Sequence, residues 1–184
     1  VGRPNVGKST LFNRIVGQKV SIVSDKPQTT RHQIRGGLNR PEAQIVFVDT
    51  PGIHMPIHAL GERLNASATS AIGTVDVVCL VVDATGPIGK GDNYIASRVP
   101  SDTIVVVNKT DIADPGQVLR QLASAATQLD LSEYFPVSAR TGEGVDALVE
   151  HLVSRLPGGP RYFPEGMVTD VPEAFWVAEL VREQ

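Results

Sequence analysis

The chain reads as an α/β protein of three layers, a mostly parallel sheet held between helices on both faces, with one antiparallel strand at its edge. Three observations predict this. Short β-branched runs alternate with stretches of helical spacing along the 184 residues, the pattern of βαβ units. The runs at 76–83 and 103–108 are almost unbrokenly apolar, as strands covered on both faces must be. Each closes on a polar residue, Asp83 and Asn108, at the strand end where open sheets bind ligands.

Taken in order, residues 9–16 carry the first helical pattern, and 32–37 a strand that turns through a hairpin into 44–49. A helix is expected at 60–72, strands at 76–83 and 103–108, a helix at 115–128 and a strand at 134–138. The helix at 145–155 sets Val145, Leu148, Val149 and Leu152 on one face. Pro157-Gly158-Gly159-Pro160 breaks it. The residues up to Pro172 read as a linker, and 172–183 as a short helix. The chain therefore divides into a domain at 1–156 and a tail at 157–184.

Composition narrows the function classes. Apolar residues make up 41% and charged residues 20%, the balance of a folded chain rather than a disordered one. A net charge of -3 argues against nucleic-acid binding by bulk electrostatics. An RNA contact would need a local patch, or sequence outside this chain. The one cysteine, Cys79, lies in an apolar run and reads as a small buried residue in a reducing cytoplasm. No apolar run reaches the length of a membrane helix. We find no repeat and no low-complexity tract.

Gly2-Arg3-Pro4-Asn5-Val6-Gly7-Lys8-Ser9, with Thr10 behind it, matches the phosphate-loop pattern in full. The glycines let the amides of residues 5–9 turn inward onto phosphate oxygens. Lys8 adds a point charge at the β- and γ-phosphates, and the Ser9 hydroxyl suits Mg²⁺. The helix that follows aims its N-terminus at the same anion. The layered fold is thus specified as a P-loop NTPase fold. A strand from mid-sheet feeds such a loop, yet Val1 stands one residue before it. The sequence reads as cut there, and again at Gln184 inside the last helix.

Asn108-Lys109-Thr110-Asp111 ends one strand and Ser138-Ala139-Arg140 follows the next. Asp111 can accept two N–H bonds from the edge of guanine. Adenine lacks those donors, and losing matched polar contacts costs about 10⁴–10⁵ in discrimination. Asn108 and Lys109 are expected to tie the base to the phosphate loop, and the main chain near Ala139 to meet the guanine carbonyl. Asp49-Thr50-Pro51-Gly52 supplies a carboxylate to hold Mg²⁺ through water and an amide to meet the γ-phosphate. Within Gln28-Thr29-Thr30-Arg31-His32, one threonine would close on Mg²⁺. The residues alone do not separate Thr29 from Thr30. Arg31 and His32 read as solvated, and His54 and His58 as lone loop histidines rather than bases. Ile53 occupies the position where related enzymes place a water-orienting glutamine.

Beyond these motifs, the segment Asp25-Lys26-Pro27-Gln28-Thr29-Thr30-Arg31-His32, the run Asp49 to His54, and the tail Thr169-Asp170-Val171-Pro172-Glu173 with Ala178 to Glu183 resemble the Era family of bacterial GTPases over essentially the whole chain. The resemblance implies binding of GTP and GDP with Mg²⁺, slow hydrolysis, and Lys8, Thr30 and the Gly52 amide as the groups around the transferred phosphoryl. It favours Thr30 over Thr29 as the metal ligand. Arg140 stands where such GTPases often carry lysine, of small consequence where a main-chain amide makes the contact. For Asn5 two readings stand side by side: a ligand for K⁺ next to the phosphates, or a cap for the loop.

The resemblance also implies a cytoplasmic partner, the small ribosomal subunit and the 3′ end of its 16S rRNA, reached through a KH domain. Of that domain the chain would hold only the first helix. It leaves room for peripheral attachment at the inner face of the cell membrane. Phe175 and Trp176 then read as packing surface for the rest of the KH domain. Two alternatives remain: a non-catalytic nucleotide-binding module, and a related GTPase of tRNA modification or large-subunit assembly.

Overall fold

The structure, a computed structural model, describes residues 1–24, 29–54, 59–131 and 133–183. Asp25-Lys26-Pro27-Gln28, His58 and Gln184 lie outside the described residues. The elements run α1 (Lys8–Val16), β1 (Ile34–Asn39), β2 (Gln44–Asp49), α2 (Ala59–Ile72), β3 (Cys79–Asp83), α3 (Lys90–Ala96), β4 (Ile104–Asn108), α4 (Pro115–Gln128), β5 (Glu133–Pro136), α5 (Val145–Arg155) and α6 (Glu173–Glu183).

β3, β4 and β5 form a parallel sheet in that order, while β1 and β2 pair antiparallel in a second one. The expected single ladder with an antiparallel edge is thus two hydrogen-bonded pieces. Val1 and Gly2 link β3 to the segment that follows β2. Gly2 bridges Val81 in parallel, Val1 O accepts from Val81 N at 2.9 Å, and Gly2 O accepts from Ile53 N at 3.1 Å.

The period of two along the parallel strands sorts the core into two halves. Val81, Ile104 and Val106 pack with Leu11, Ile15, Leu148 and Leu152 under α1 and α5. Leu80, Val82, Val105 and Val107 face the other way, onto Ala68, Ile95 and Ala125 of α2, α3 and α4 and onto Leu129 just past α4. Helices therefore cover both faces, and the strand ends are left to build a site.

Local chemistry accounts for most boundaries. α4 begins at Asp114, whose carboxylate accepts from Gln117 N at 3.0 Å while Gln117 Oε1 accepts from Asp114 N at 2.9 Å, a reciprocal cap. Pro115 fills the first turn. α3 has no counterpart among the expected elements. It is seven residues long and includes Gly91, too short to show a helical period. Its start is made by Asp92, which accepts from Gly89 N at 3.0 Å.

The stretch read as a linker is fastened to the domain. Gln44 alone holds the backbone of two of its residues: Oε1 accepts from Tyr162 N at 2.6 Å and Phe163 N at 2.8 Å, and Nε2 donates to Phe163 O at 2.9 Å. Gly37 N then donates to Val168 O at 2.8 Å, and Thr169 pairs with Gly36 across an antiparallel bridge. Val168 and Val171 close over Phe12, Val16, Val20 and Ile34. Residues 161–171 thus form a strap along β1 and β2. Phe175, expected to face the rest of a further domain, meets His32 edge-on with ring centroids 5.5 Å apart.

Candidate nucleotide site

The phosphate loop runs from Gly2 to the first turn of α1, over a cleft of about 160 Å³ walled by Lys8, Ser9, Thr10, Thr30, Gly52 and Lys109. Gly7 is left-handed at φ 93°, and a Cβ there would sit 2.3 Å from Asn108 Nδ2. No side chain fits that gap. Gly52 backs onto the loop so closely that a Cβ would lie 2.8 Å from Pro4 N. Asn5 is also left-handed, at φ 63°. Lys8 Nζ donates to Arg3 O at 2.8 Å, bending across the mouth of the loop. Burial lowers its ammonium to about 8, with Asp49 pulling weakly the other way. The loop is steadied from outside by Arg3, whose Nε pairs with the wholly buried Asp92 Oδ1 of α3 at 2.7 Å.

Beside the loop, oxygen groups from separate segments meet. Ser9 Oγ donates to Asp49 Oδ2 at 2.7 Å and lies 3.0 Å from Thr30 Oγ1. Thr30 is 6% exposed and Asp49 4%. Of the neighbouring threonines, Thr29 instead donates to Ser24 O at 3.4 Å. Two hydroxyls and a carboxylate in mutual contact are the donor set of a hard cation, so these residues fit Mg²⁺. Among the described residues, the hydroxyl of Thr50 is buried without a hydrogen-bond partner. Pro51 and Gly52 are buried beside it.

At the other end of the cleft, Asn108 joins two loops. Its Nδ2 donates to Val6 O and its Oδ1 accepts from Ala139 N, both at 2.9 Å. The carboxylate of Asp111 is exposed and accepts from Ser138 Oγ at 2.7 Å. Ser138 Oγ in turn accepts from Thr141 N. Lys109, expected to bind toward the phosphate loop, pairs through Nζ with Asp83 Oδ2 at 2.6 Å. Burial raises the Asp83 carboxyl, but the bonds from Lys109 and Thr85 outweigh it and hold it below its ordinary value. Arg140 points into solvent.

Ile53 is 3% exposed and belongs to the core under α2 and α3. Its side chain is turned into that core. His54 is fixed by its backbone: Asn65 Oδ1 accepts from His54 N at 3.2 Å, and Asn65 Nδ2 donates to His54 O at 2.6 Å. Arg31 and His32 are exposed, though His32 carries the Phe175 contact.

Sequence reasoning missed several supports. Arg14 on α1 donates from Nε to Ala139 O at 3.1 Å and from Nη2 to Arg140 O. Asp83 anchors Lys109, Asp92 anchors Arg3, and Ser21 donates to Asp49 Oδ2 at 2.8 Å. None belongs to a motif. Each is defined by a partner far along the chain.

Residues 1–109 match the family model described as 50S ribosome-binding GTPase. The chain is 47% identical over its full length to the GTPase Era of Clostridium botulinum strain Eklund 17B, covering 63% of that protein. It superposes at TM-score 0.92 and 40% identity on Era in complex with MgGDPNP and nucleotides 1506–1542 of 16S ribosomal RNA, over 99% of this chain and 63% of that one. A point variant of Aquifex aeolicus Era bound to GDP and aluminium fluoride gives 0.90 and 40%, over 99% of this chain and 64% of that one. The chain thus spans a little under two thirds of the relatives it matches.

Proposed function

The chain belongs to the GTPase family whose model is described as 50S ribosome-binding GTPase, and from that premise we propose that it is the GTP-hydrolysing switch of an Era-type protein acting in small ribosomal subunit assembly. One observation carries the reading. Five segments distant in sequence, at 2–10, 29–30, 49–52, 108–111 and 138–140, converge at the C-terminal ends of the strands, with phosphate-type groups at one end and a guanine-type carboxylate at the other.

In this reading the amides of Asn5, Val6, Gly7, Lys8, Ser9 and Thr10 hold the phosphates, helped by the N-terminus of α1. Lys8 leaves Arg3 O for the β- and γ-oxygens, gaining the anionic partner that burial denies it. Ser9 and Thr30 would hold Mg²⁺ directly and Asp49 through water. When bound, the ion supplies charge neutralisation on the β- and γ-phosphate oxygens. The Gly52 amide meets the γ-phosphate, with Thr50 and Pro51 shaping its approach. Asp111 selects guanine, Ala139 and Asn108 face its carbonyl side, and Ser138 orients Asp111. Gly2, Arg3, Pro4, Lys109, Thr110 and Arg140 complete the cradle.

Ile53 supplies nothing to the attacking water, so unassisted turnover is slow, ~10⁻⁴–10⁻³ s⁻¹ as in unassisted members of the class. That rate corresponds to a barrier of about 22 kcal/mol and suits a timer. Asn5, beside the phosphates, is the ligand that a stimulating K⁺ would take.

The RNA partner follows from the Era likeness. Contact with the 3′ end of 16S rRNA is assigned to a KH domain that begins at α6, with cytoplasmic location and peripheral attachment to the inner membrane face as the finer reading. Among the described residues no helix is long and apolar enough to cross a membrane.

Phosphate release from GTP, followed with Mg²⁺ in KCl and then in NaCl, tests the activity. Multiple turnovers are expected, faster in KCl. Tight GTP binding with no phosphate release would make the chain a non-catalytic module, the reading that the buried Ile53 favours. Equal rates in both salts would reduce Asn5 to a loop cap.

A further inference from the structure

Building on the nucleotide-switch reading, we propose that Ser21 is the positioning residue for the metal-side carboxylate of Asp49, and that Asn13 of α1 holds Ser21 in place. Ser21 is completely buried. Its hydroxyl donates to Asp49 Oδ2 at 2.8 Å, the same oxygen that accepts from Ser9 Oγ at 2.7 Å. Two hydroxyl donors on one oxygen fix the plane of the carboxylate in a place where water is scarce. Without Ser21, Oδ2 would keep one donor, and an underbonded buried carboxylate turns to find another.

Ser21 is itself clamped. Asn13 Oδ1 accepts from Val20 N and Ser21 N, both at 2.9 Å, and Asn13 Nδ2 donates to Ser21 O at 2.7 Å. One amide side chain therefore satisfies three backbone groups of the segment leading into Thr30. The flanking Val20 and Ile22 are buried as well. A serine that merely filled the core would bond to nearby backbone. This one reaches 28 residues along the chain to a functional carboxylate. The consequence is that α1, the root of the Thr30 loop and the end of β2 share one rigid point, and the metal-facing side of Asp49 is set before any ion arrives.

Groups that orient metal ligands from behind typically contribute about 10–100-fold to metal affinity. Because Asp49 would act through water, the lower end applies. The test follows release of a fluorescent GDP analogue from the protein as Mg²⁺ is varied, and again in EDTA. In the parent protein Mg²⁺ is expected to slow release. In Ser21→Ala the Mg²⁺ concentration for half-maximal slowing should rise about tenfold, with the EDTA rate within about twofold of the parent. Ser21→Cys, similar in shape but a weaker donor, should show a smaller rise, and it carries the test if the alanine variant does not fold.

An unchanged Mg²⁺ dependence in both variants overturns the proposal. So does an equal acceleration with Mg²⁺ and with EDTA, which would make Ser21 a fold residue only. Release from the parent protein that ignores Mg²⁺ would instead bring down the nucleotide-switch reading itself.

Discussion

At the phosphate end of the cleft, Ser9, Thr30, Asp49 and Ser21 hold one another through short bonds from which water is largely shut out. At the base end, Asp111 and Arg140 stand in solvent, steadied by one hydroxyl and a long arginine. The same ligand would have to satisfy both. In a low-dielectric cluster each polar bond counts for more and an unpaired group costs more. On the proposed reading, the phosphate end is therefore suited to grip and to sensing a missing phosphate. The base end can be altered with little harm to the fold, and on the same reading it would decide which base is accepted.

The largest expected effect lies at the exposed end. Asp111→Asn should lower the preference for guanine over xanthine nucleotides by about 10³–10⁴. Its unfolding free energy should stay within about 0.5 kcal/mol of the parent. Competition binding of GDP against XDP, with a thermal melt, measures both. A variant that still prefers guanine would erase the division between the two ends.

Next comes the grip. Lys8→Met should weaken GDP about 10²-fold, since a charged donor to an anion contributes up to about 3 kcal/mol. The variant should fold normally, because methionine replaces a half-buried lysine with an apolar chain of similar length. Equilibrium titration gives the number, and a loss under threefold would contradict the assignment.

A pH effect should separate the ends further. Burial lowers Lys8 to about 8 in the free protein, so at pH 9 most of it is neutral, whereas bound phosphate requires the charged form. GDP binding at pH 9 should take up close to one proton, and affinity should fall by up to about tenfold per pH unit above 8. The sign for stability is opposite. Between about 8 and 10.5 the unfolded chain keeps the proton that the free native state gives up, so this group makes the free protein more stable as pH rises. Calorimetry in buffers of different ionisation heat counts the proton, and Lys8→Met should abolish the uptake.

The smallest effect belongs to Arg14. Because its guanidinium is solvent-exposed, Arg14→Ala should weaken GDP about threefold while leaving inorganic triphosphate binding unchanged. An equal loss for both ligands would mean that Arg14 props the whole helix rather than the base loop.

How far the sequence already carried these features depended on where their partners lay. The phosphate loop, Asp49 to Gly52 and Asn108 to Asp111 are contiguous, and backbone geometry demands their residue types in that order. The continuous apolar runs likewise fixed β3 and β4, because a strand covered on both faces has no polar positions to spare. Ser21, Asn13, Arg14, Asp83 and Asp92 left no such mark. A serine in an apolar stretch or an arginine on a helix is ordinary until its partner is known to be 28 or 125 residues away. α3 was hidden by its length. The strap at 161–171 was hidden by the Pro157-Gly158-Gly159-Pro160 run before it and by its own Pro164 and Gly166, which read as a linker although backbone bonds and one glutamine fasten it down.

The central claim is that one cleft holds phosphates at one end and reads guanine at the other, and titration calorimetry of GDP against ADP with Mg²⁺ tests it most directly. GDP should bind at least about 10³-fold more tightly than ADP. Equal affinities would contradict the account.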